Sequence, residues 1–150
     1  MPVNYLPDGC PAVIPYLVVR NGKEFAEFMK AVFDATCDEW ETNPDGTMAH
    51  GELKIGGSLI MFGETAPGRT PETAMLYVYV KDTDAVYKKA IVLGSTSIMA
   101  PSDQHWGDRN AGFKDKWGNT WWVATHVEDV PPDEMQRRSN ERWYERQAKK

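Results

Sequence analysis

The sequence predicts an α+β fold, with two β-α-β-β-β modules in tandem and a C-terminal helix. Three observations carry this prediction. A strand-then-helix order of apolar residues occurs twice, corresponding residues of the two copies lie about sixty positions apart, and the stretch between them carries no period. The boundaries that follow are module one at about 12–63, a linker at 64–73, module two at about 74–127, and a helical arm at 131–150.

The elements follow in order. Residues 12–19 (AVIPYLVV) form an apolar run of strand length. Residues 24–33 place Phe25, Phe28, Met29, Val32 and Phe33 on one helical stripe, which should lie on a sheet. A short strand at 37–42 and a turn at Asn43-Pro-Asp-Gly46 precede two strands, 47–55 and 58–63, joined tightly at Gly56-Gly57. The second copy repeats this with a strand at 75–80, a helix at 82–93, a strand at 95–100 and a hairpin turning at 116–119. Val19 corresponds to Val80, Asn21 to Asp82, Thr36 to Thr96 and Gly56 to Gly118. The linker is rich in Pro, Gly and Thr. Pro131-Pro132 opens the last helix, where Asp133 with Arg137 and Glu134 with Arg138 are spaced as i,i+4 pairs on a solvated arm.

Composition narrows the function classes. Seventeen basic against 22 acidic residues give a net charge of −5, which argues against a nucleic-acid partner. The apolar run near the N-terminus is broken by Pro15 and is too short for a signal or a membrane span, so a cytoplasmic protein without a membrane partner is expected. Cys10 and Cys37 form no CxxC and have no His at ligand spacing, so they read as lone structural thiols. No serine sits in a nucleophile elbow, and no Gly-rich strand-to-helix loop is present for a nucleoside cofactor. No cofactor is expected.

The strings PYLVV, PDGTMAHGELKIGGSLIMFGE, DQHWGDRNAG and DKWGNTWWVATHVED, set in paired modules, resemble the vicinal oxygen chelate superfamily. This superfamily includes glyoxalase I, bleomycin-resistance proteins and extradiol dioxygenases, and the likeness is to its PhnB-like branch. It covers about Ala12 to Val130, so residues 1–130 form one such domain. It implies two modules curled into an incomplete barrel around a cavity, helices outside, and a homodimer. A methyltransferase label sometimes attached to this branch has no support here, for want of the nucleoside loop. Metal-dependent relatives carry one His or Glu ligand on the first and fourth strand of each module. By register those places fall here at Ile14, Met61 (or Ile60), Met75 and Trp122. All four side chains are poor donors for a divalent ion, so no metal is expected and they are read as lining an apolar pocket.

The remaining polar chemistry has two foci. Alternation along 47–55 puts Ala49, Gly51, Leu53 and Ile55 on one face and Met48, His50, Glu52 and Lys54 on the other. His50 and Glu52 would then project together, about 7 Å apart at Cβ. They are read as a catalytic acid/base pair or, alternatively, as a buried pair satisfying each other. On the last strand Trp122, Ala124 and His126 share a face opposite Trp121, Val123 and Thr125, which sets His126 near the pocket rim as a ligand contact or a partner of Glu128 or Asp129. The segment Asp103 to Arg109 reads as a loop on a Gly hinge able to cover a pocket. In it Trp106 and Arg109 would stack on or clamp a ligand, and Asp108 would pair with Arg109. Tyr77 and Tyr79 must share a face, with Tyr77 a ligand contact.

Six tryptophans and seven methionines favour a bulky apolar or aromatic ligand. The expected function is therefore a metal-independent small-molecule-binding protein of the glyoxalase/bleomycin-resistance type, with Met61, Met75, Tyr77, Trp106, Arg109, Trp122 and His126 as ligand contacts. The alternative is an isomerase or lyase working through His50 and Glu52. A homodimer is expected on an internal argument too, since open sheets leave strand edges to cover.

Overall fold

A computed structural model describes residues 3–150, apart from the side chain of Glu39. In chain order the elements are β1 (Tyr16–Val19), α1 (Gly22–Phe33), β2 (Thr36–Thr42), β3 (Met48–Ile55), β4 (Ser58–Glu64), β5 (Met75–Tyr79), α2 (Thr83–Val92), β6 (Thr96–Asp103), β7 (Asp108–Lys114), β8 (Thr120–His126) and α3 (Pro132–Ala148). This is the predicted α+β arrangement of two β-α-β-β-β modules and a C-terminal helix. Each module is an open mixed sheet of four strands, in the orders β1-β4-β3-β2 and β5-β8-β7-β6. The first strand of each pairs in parallel with the fourth, and the other pairings are antiparallel. The chain divides into two compact units, one of Met1–Ala74 with Asp115–Asn119 and one of Met75–Lys114 with Thr120–Lys150.

In the first unit the stripe on α1 does what its spacing requires, burying Phe25, Ala26, Phe28, Met29, Val32 and Phe33. Beneath it lie Leu17, Val19, Leu53, Ile60 and Phe62, all under a tenth exposed. β1 is shorter than the apolar run implied. Pairing begins at Tyr16, because Pro15 accepts from Met61 N at 2.9 Å but has no N–H to give, and 12–15 stays outside the strand. The linker is partly tied down, because Val18 N donates to Glu72 O at 3.1 Å.

Met48 departs from simple alternation. Glu41 opposes His50 while Thr42 opposes Met48, so Ala49 is the extra residue of a bulge. Met48 is thereby turned to the helix side and fully buried, and does not share the face of His50.

In the second unit the core holds Ala90, Ala111, Phe113, Trp121, Val123 and Ala124. Buried Thr83 starts α2, its Oγ1 donating to Arg109 O at 3.0 Å and its N–H to Thr125 Oγ1 at 3.1 Å. α3 buries no residue. It is docked on its own chain through polar contacts, Arg138 binding both carboxylate oxygens of Glu128 at 2.8 and 2.9 Å. Glu134 pairs with Arg138 as spaced, whereas Arg137 takes Glu134 and Glu141 instead of Asp133. No described helix is long and apolar enough to cross a membrane.

Candidate functional site

Cross-strand partners share a face of their sheet, so the registers fix which side chains assemble away from the helices. In the first sheet Tyr16 pairs with Met61 and Met61 with Glu52, and His50 lies two residues before Glu52 on the same side. Met61, not Ile60, stands on this face, since Ile60 pairs with the buried Leu53. His50 Nε2 is 3.6 Å from Glu52 Oε1, and Tyr16 Oη is 3.3 Å from His50 Nδ1. The three form a short polar chain beside the Met61 thioether. The side chains of His50 and Glu52 are partly open to solvent, at 27 % and 17 %.

The second sheet carries a denser polar cluster. Asp108 pairs with His126 across β7 and β8, followed by Asn110 with Ala124 and Gly112 with Trp122. On the other side of β8, Trp122 faces Tyr77 and Ala124 faces Tyr79. One face therefore gathers Met75, Tyr77, Tyr79, Trp122, His126 and Asp108. The Asp108 carboxylate, in a residue only 2 % exposed, is the hub. Its Oδ2 accepts from Tyr79 Oη at 2.8 Å, Trp106 Nε1 at 3.0 Å and Tyr77 Oη at 3.2 Å. Its Oδ1 lies 2.9 Å from His126 Nδ1.

Burial alone would push the Asp108 carboxyl up, but the bonds from His126, Tyr79, Trp106 and Tyr77 together outweigh it and hold it below the usual range. His126 is raised, first by its bond to Asp129 and then by Asp108. Burial raises the Tyr77 hydroxyl, and the bond to Asp108 raises Tyr79, so both keep their protons and act as donors.

Around this hub the surface is apolar and open. Met75 is 73 % exposed and Tyr79 63 %, while the Tyr77 and Tyr79 rings meet edge to face with centroids 5.5 Å apart. The indole of Trp122 lies over Gly112, where an added Cβ would come within 2.7 Å of the ring, so the glycine is the recess that lets it lie flat.

Two expectations for the segment 103–109 are corrected. It is not a hinged loop, because β6 runs to Asp103 and β7 starts at Asp108, leaving a tight turn. Gln104 N donates to Asp108 O at 2.7 Å, and Gly107 O accepts from Val127 N and Glu128 N. At Gly107 (φ 98°) a Cβ would lie 2.0 Å from Glu128 O, so only glycine fits this junction. Nor do Asp108 and Arg109 pair. As strand neighbours they point to opposite faces, and Arg109 binds Asp84 through Nε and Nη2 at 2.6 and 2.9 Å and Asp103 through Nη1 at 3.0 Å. Arg109 is thus held on the helix side, away from Trp122 and His126.

His105 stacks edge to face on Trp106 at 5.0 Å. Burial depresses it, and Arg142, Arg146 and Arg138 add to that, in keeping with a neutral ring beneath the basic side of α3. A polar cleft of about 470 Å³ in the first unit is lined by Arg20, Asn21, Asn43, Asp45, Thr47 and Glu64 among others, none of them on either site face.

Sequence reasoning missed Asp108 and Tyr79. The signal was available, since strand alternation separates Asp108 from Arg109 and sets Asp108 with Asn110 and Gly112. Adjacent opposite charges on one strand cannot pair, because their side chains leave on opposite faces. Of the four places expected for metal ligands, Ile14 lies outside β1 and so is not on the first strand, while the thioethers of Met61 and Met75 and the indole of Trp122 are poor donors for a divalent ion. Among the described residues no group of three His, Cys, Asp or Glu is placed to bind one.

Comparison with known proteins agrees with the architecture. The family model of the glyoxalase/bleomycin resistance protein/dioxygenase superfamily matches residues 12–123. An uncharacterized protein of Mycobacterium bovis is 32% identical over 139 residues, covering 84% of this chain and 90% of its own length. Among solved structures, TioX from Micromonospora sp. ML1 superposes with a TM-score of 0.65 at 18% identity, over 79% of this chain and all of its own. A Bacillus cereus PhnB protein, described as a putative 3-demethylubiquinone-9 3-methyltransferase, has a TM-score of 0.57 at 15% identity, over 77% of this chain and 99% of its own.

Proposed function

The chain belongs to the glyoxalase/bleomycin resistance protein/dioxygenase superfamily, and from that premise we propose that it is a metal-independent small-molecule-binding protein that holds an apolar or aromatic compound against the helix-free face of its second sheet. The single observation that carries the reading is the open aromatic surface of Met75, Tyr77, Tyr79 and Trp122 around a fully bonded Asp108. Exposed apolar side chains in a contiguous group are costly on a soluble domain and mark a binding surface. The hub adds rigidity, because the hydroxyl of each tyrosine is fixed and a flat ligand meets rings that are already oriented. The donor chemistry at Met61, Met75 and Trp122 supports metal independence. The HGEL and WGDR segments support placement in the PhnB-like branch.

Calorimetric titration with 2-naphthamide, a neutral bicyclic aromatic, tests the reading. Binding should occur without added metal, elemental analysis should find no stoichiometric divalent ion, and Trp122→Ala should weaken binding by about tenfold, the equivalent of roughly 1.4 kcal/mol. Unchanged affinity in Trp122→Ala, or a bound ion required for binding, would sink it.

The same reading includes a homodimer. The edges β1, β2, β5 and β6 each have one unpaired side within their sheets, and a two-fold contact needs only one self-complementary patch. Light scattering at micromolar concentration should give twice 17.0 kDa, and a mass of 17.0 kDa at all concentrations would refute it. A second reading, an acid/base enzyme of isomerase or lyase type, is favoured by the Tyr16–His50–Glu52 chain, in which the imidazole has a phenol on one nitrogen and a carboxylate near the other.

A further inference from the structure

His126 stands at the end of the aromatic face with its two ring nitrogens in unlike surroundings. Nδ1 is 2.9 Å from Asp108, a buried carboxylate tied to three further donors, so that side of the ring is fixed. Nε2 is 2.9 Å from Asp129 Oδ1, and the Asp129 side chain is fully exposed, on the segment between β8 and α3. Among the described residues Asp129 has no other hydrogen bond or ion pair, and a solvated pair of this kind is weak and readily exchanged. With a carboxylate oxygen against each nitrogen, this geometry favours the doubly protonated, cationic ring and raises its pKa. Tyr77 and Tyr79 spend their only hydroxyl protons on Asp108, so His126 Nε2 is the donor this cluster has to offer.

We infer that this end of the face takes an aromatic carboxylate, its ring on Trp122 and the tyrosines and its acid group on His126 Nε2, in the place that Asp129 occupies. The inference rests on the ligand-binding reading above and narrows it to anions of single charge. Asp129 is an internal competitor that the ligand replaces like for like, so the imidazolium keeps a carboxylate partner throughout. The Tyr77 and Tyr79 oxygens, left with lone pairs only, disfavour a second anionic group. The charged and titratable groups around His126 are Asp108 from β7, Asp129 after β8 and, through Asp108, Tyr77 and Tyr79 from β5. Affinity for the acid should therefore fall as pH rises through the raised His126 value, while affinity for a neutral analogue stays flat.

The test compares 2-naphthoate with 2-naphthamide by calorimetry on the full chain at pH 6. The acid should bind about tenfold more tightly, as expected of one charge-assisted hydrogen bond. His126→Gln should abolish that preference by weakening the acid more than the amide, so that the two bind alike. Asp129→Asn, at a fully exposed position, should tighten the acid by about threefold and change the amide less. Equal binding of acid and amide to the wild type, or a preference that survives His126→Gln, overturns the anchor but leaves the apolar-ligand reading standing. Failure of both compounds to bind overturns the two together.

Discussion

The two modules share an order of elements but hold themselves together differently. In the first, α1 buries a run of seven residues, Phe25, Phe28 and Met29 among them, yet its N-cap Asn21 lies in the left-handed region (φ 51°) and makes no side-chain cap. In the second, α2 buries only Thr83 and Ala90, while Asp82, the counterpart of Asn21, caps Ala85 N at 3.0 Å. The sheet faces differ in the same sense. His50 and Glu52 are same-strand neighbours in loose contact, whereas Asp108 collects donors from β5, β8 and the turn before β7. The lesson is that one topology tolerates either an apolar or a polar keystone, provided that every buried polar atom of the keystone is bonded.

This contrast is open to measurement by denaturant unfolding. The largest effect should come from Phe25→Ala, which removes a fully buried ring touching Phe62 and Trp117 and should cost about 3–5 kcal/mol. Val86→Ala, at the corresponding position of half-buried α2, should cost only about 1 kcal/mol. Equal losses would erase the distinction between the helices.

Next in size is Asp108→Asn, which sets an amide NH₂ against converging donors and should cost about 1–3 kcal/mol. Glu52→Gln in the first module should stay within about 1 kcal/mol. The pH profile sharpens the comparison. Asp108 has a lowered folded pKa, so its contribution is present above the ordinary Asp value of about 3.9 and is lost as pH falls through the lowered one. His126 has a raised folded pKa, so its contribution is full below about 6.5 and is lost as pH rises through the raised one. Stability should therefore be greatest between about pH 4 and 6.5 and fall on both sides, and Asp108→Asn should remove the acid limb and shrink the alkaline one, which Asp129 also sustains. A mutant that keeps the wild-type profile would show that the hub does not govern it.

Much of this was legible in the sequence because periodicity reports burial directly. The stripe Phe25–Phe28–Met29–Val32 and the alternation Trp121/Trp122 each placed their side chains on the observed sides. His50 and Glu52 likewise fell on one face. Met48 did not, because a bulge is decided by the partner strand and leaves no mark on β3 alone. The Asp108 hub was legible only in part, since alternation parts Asp108 from Arg109 but does not say which donors meet it. Its donors come from positions 77, 79, 106 and 126, and only the β5–β8–β7 register brings them to one carboxylate. Pairwise spacing cannot show a convergence of strands distant in sequence.

The turn between β7 and β8 has a consequence for how the chain must be made. Asp115 accepts from Trp117 N and Asn119 N and so fixes the turn, which belongs to the first unit. There the Trp117 ring meets Phe25 and Phe28 edge-on or tilted, at 5.2 and 5.4 Å, and its Nε1 donates to Arg20 O at 2.6 Å. Asn119 Oδ1 in turn accepts from Ala74 N. During synthesis Trp117 reaches Phe25 and Phe28 only after β5, β6 and β7 have been made, so the first unit completes its aromatic cluster with a residue from late in the chain.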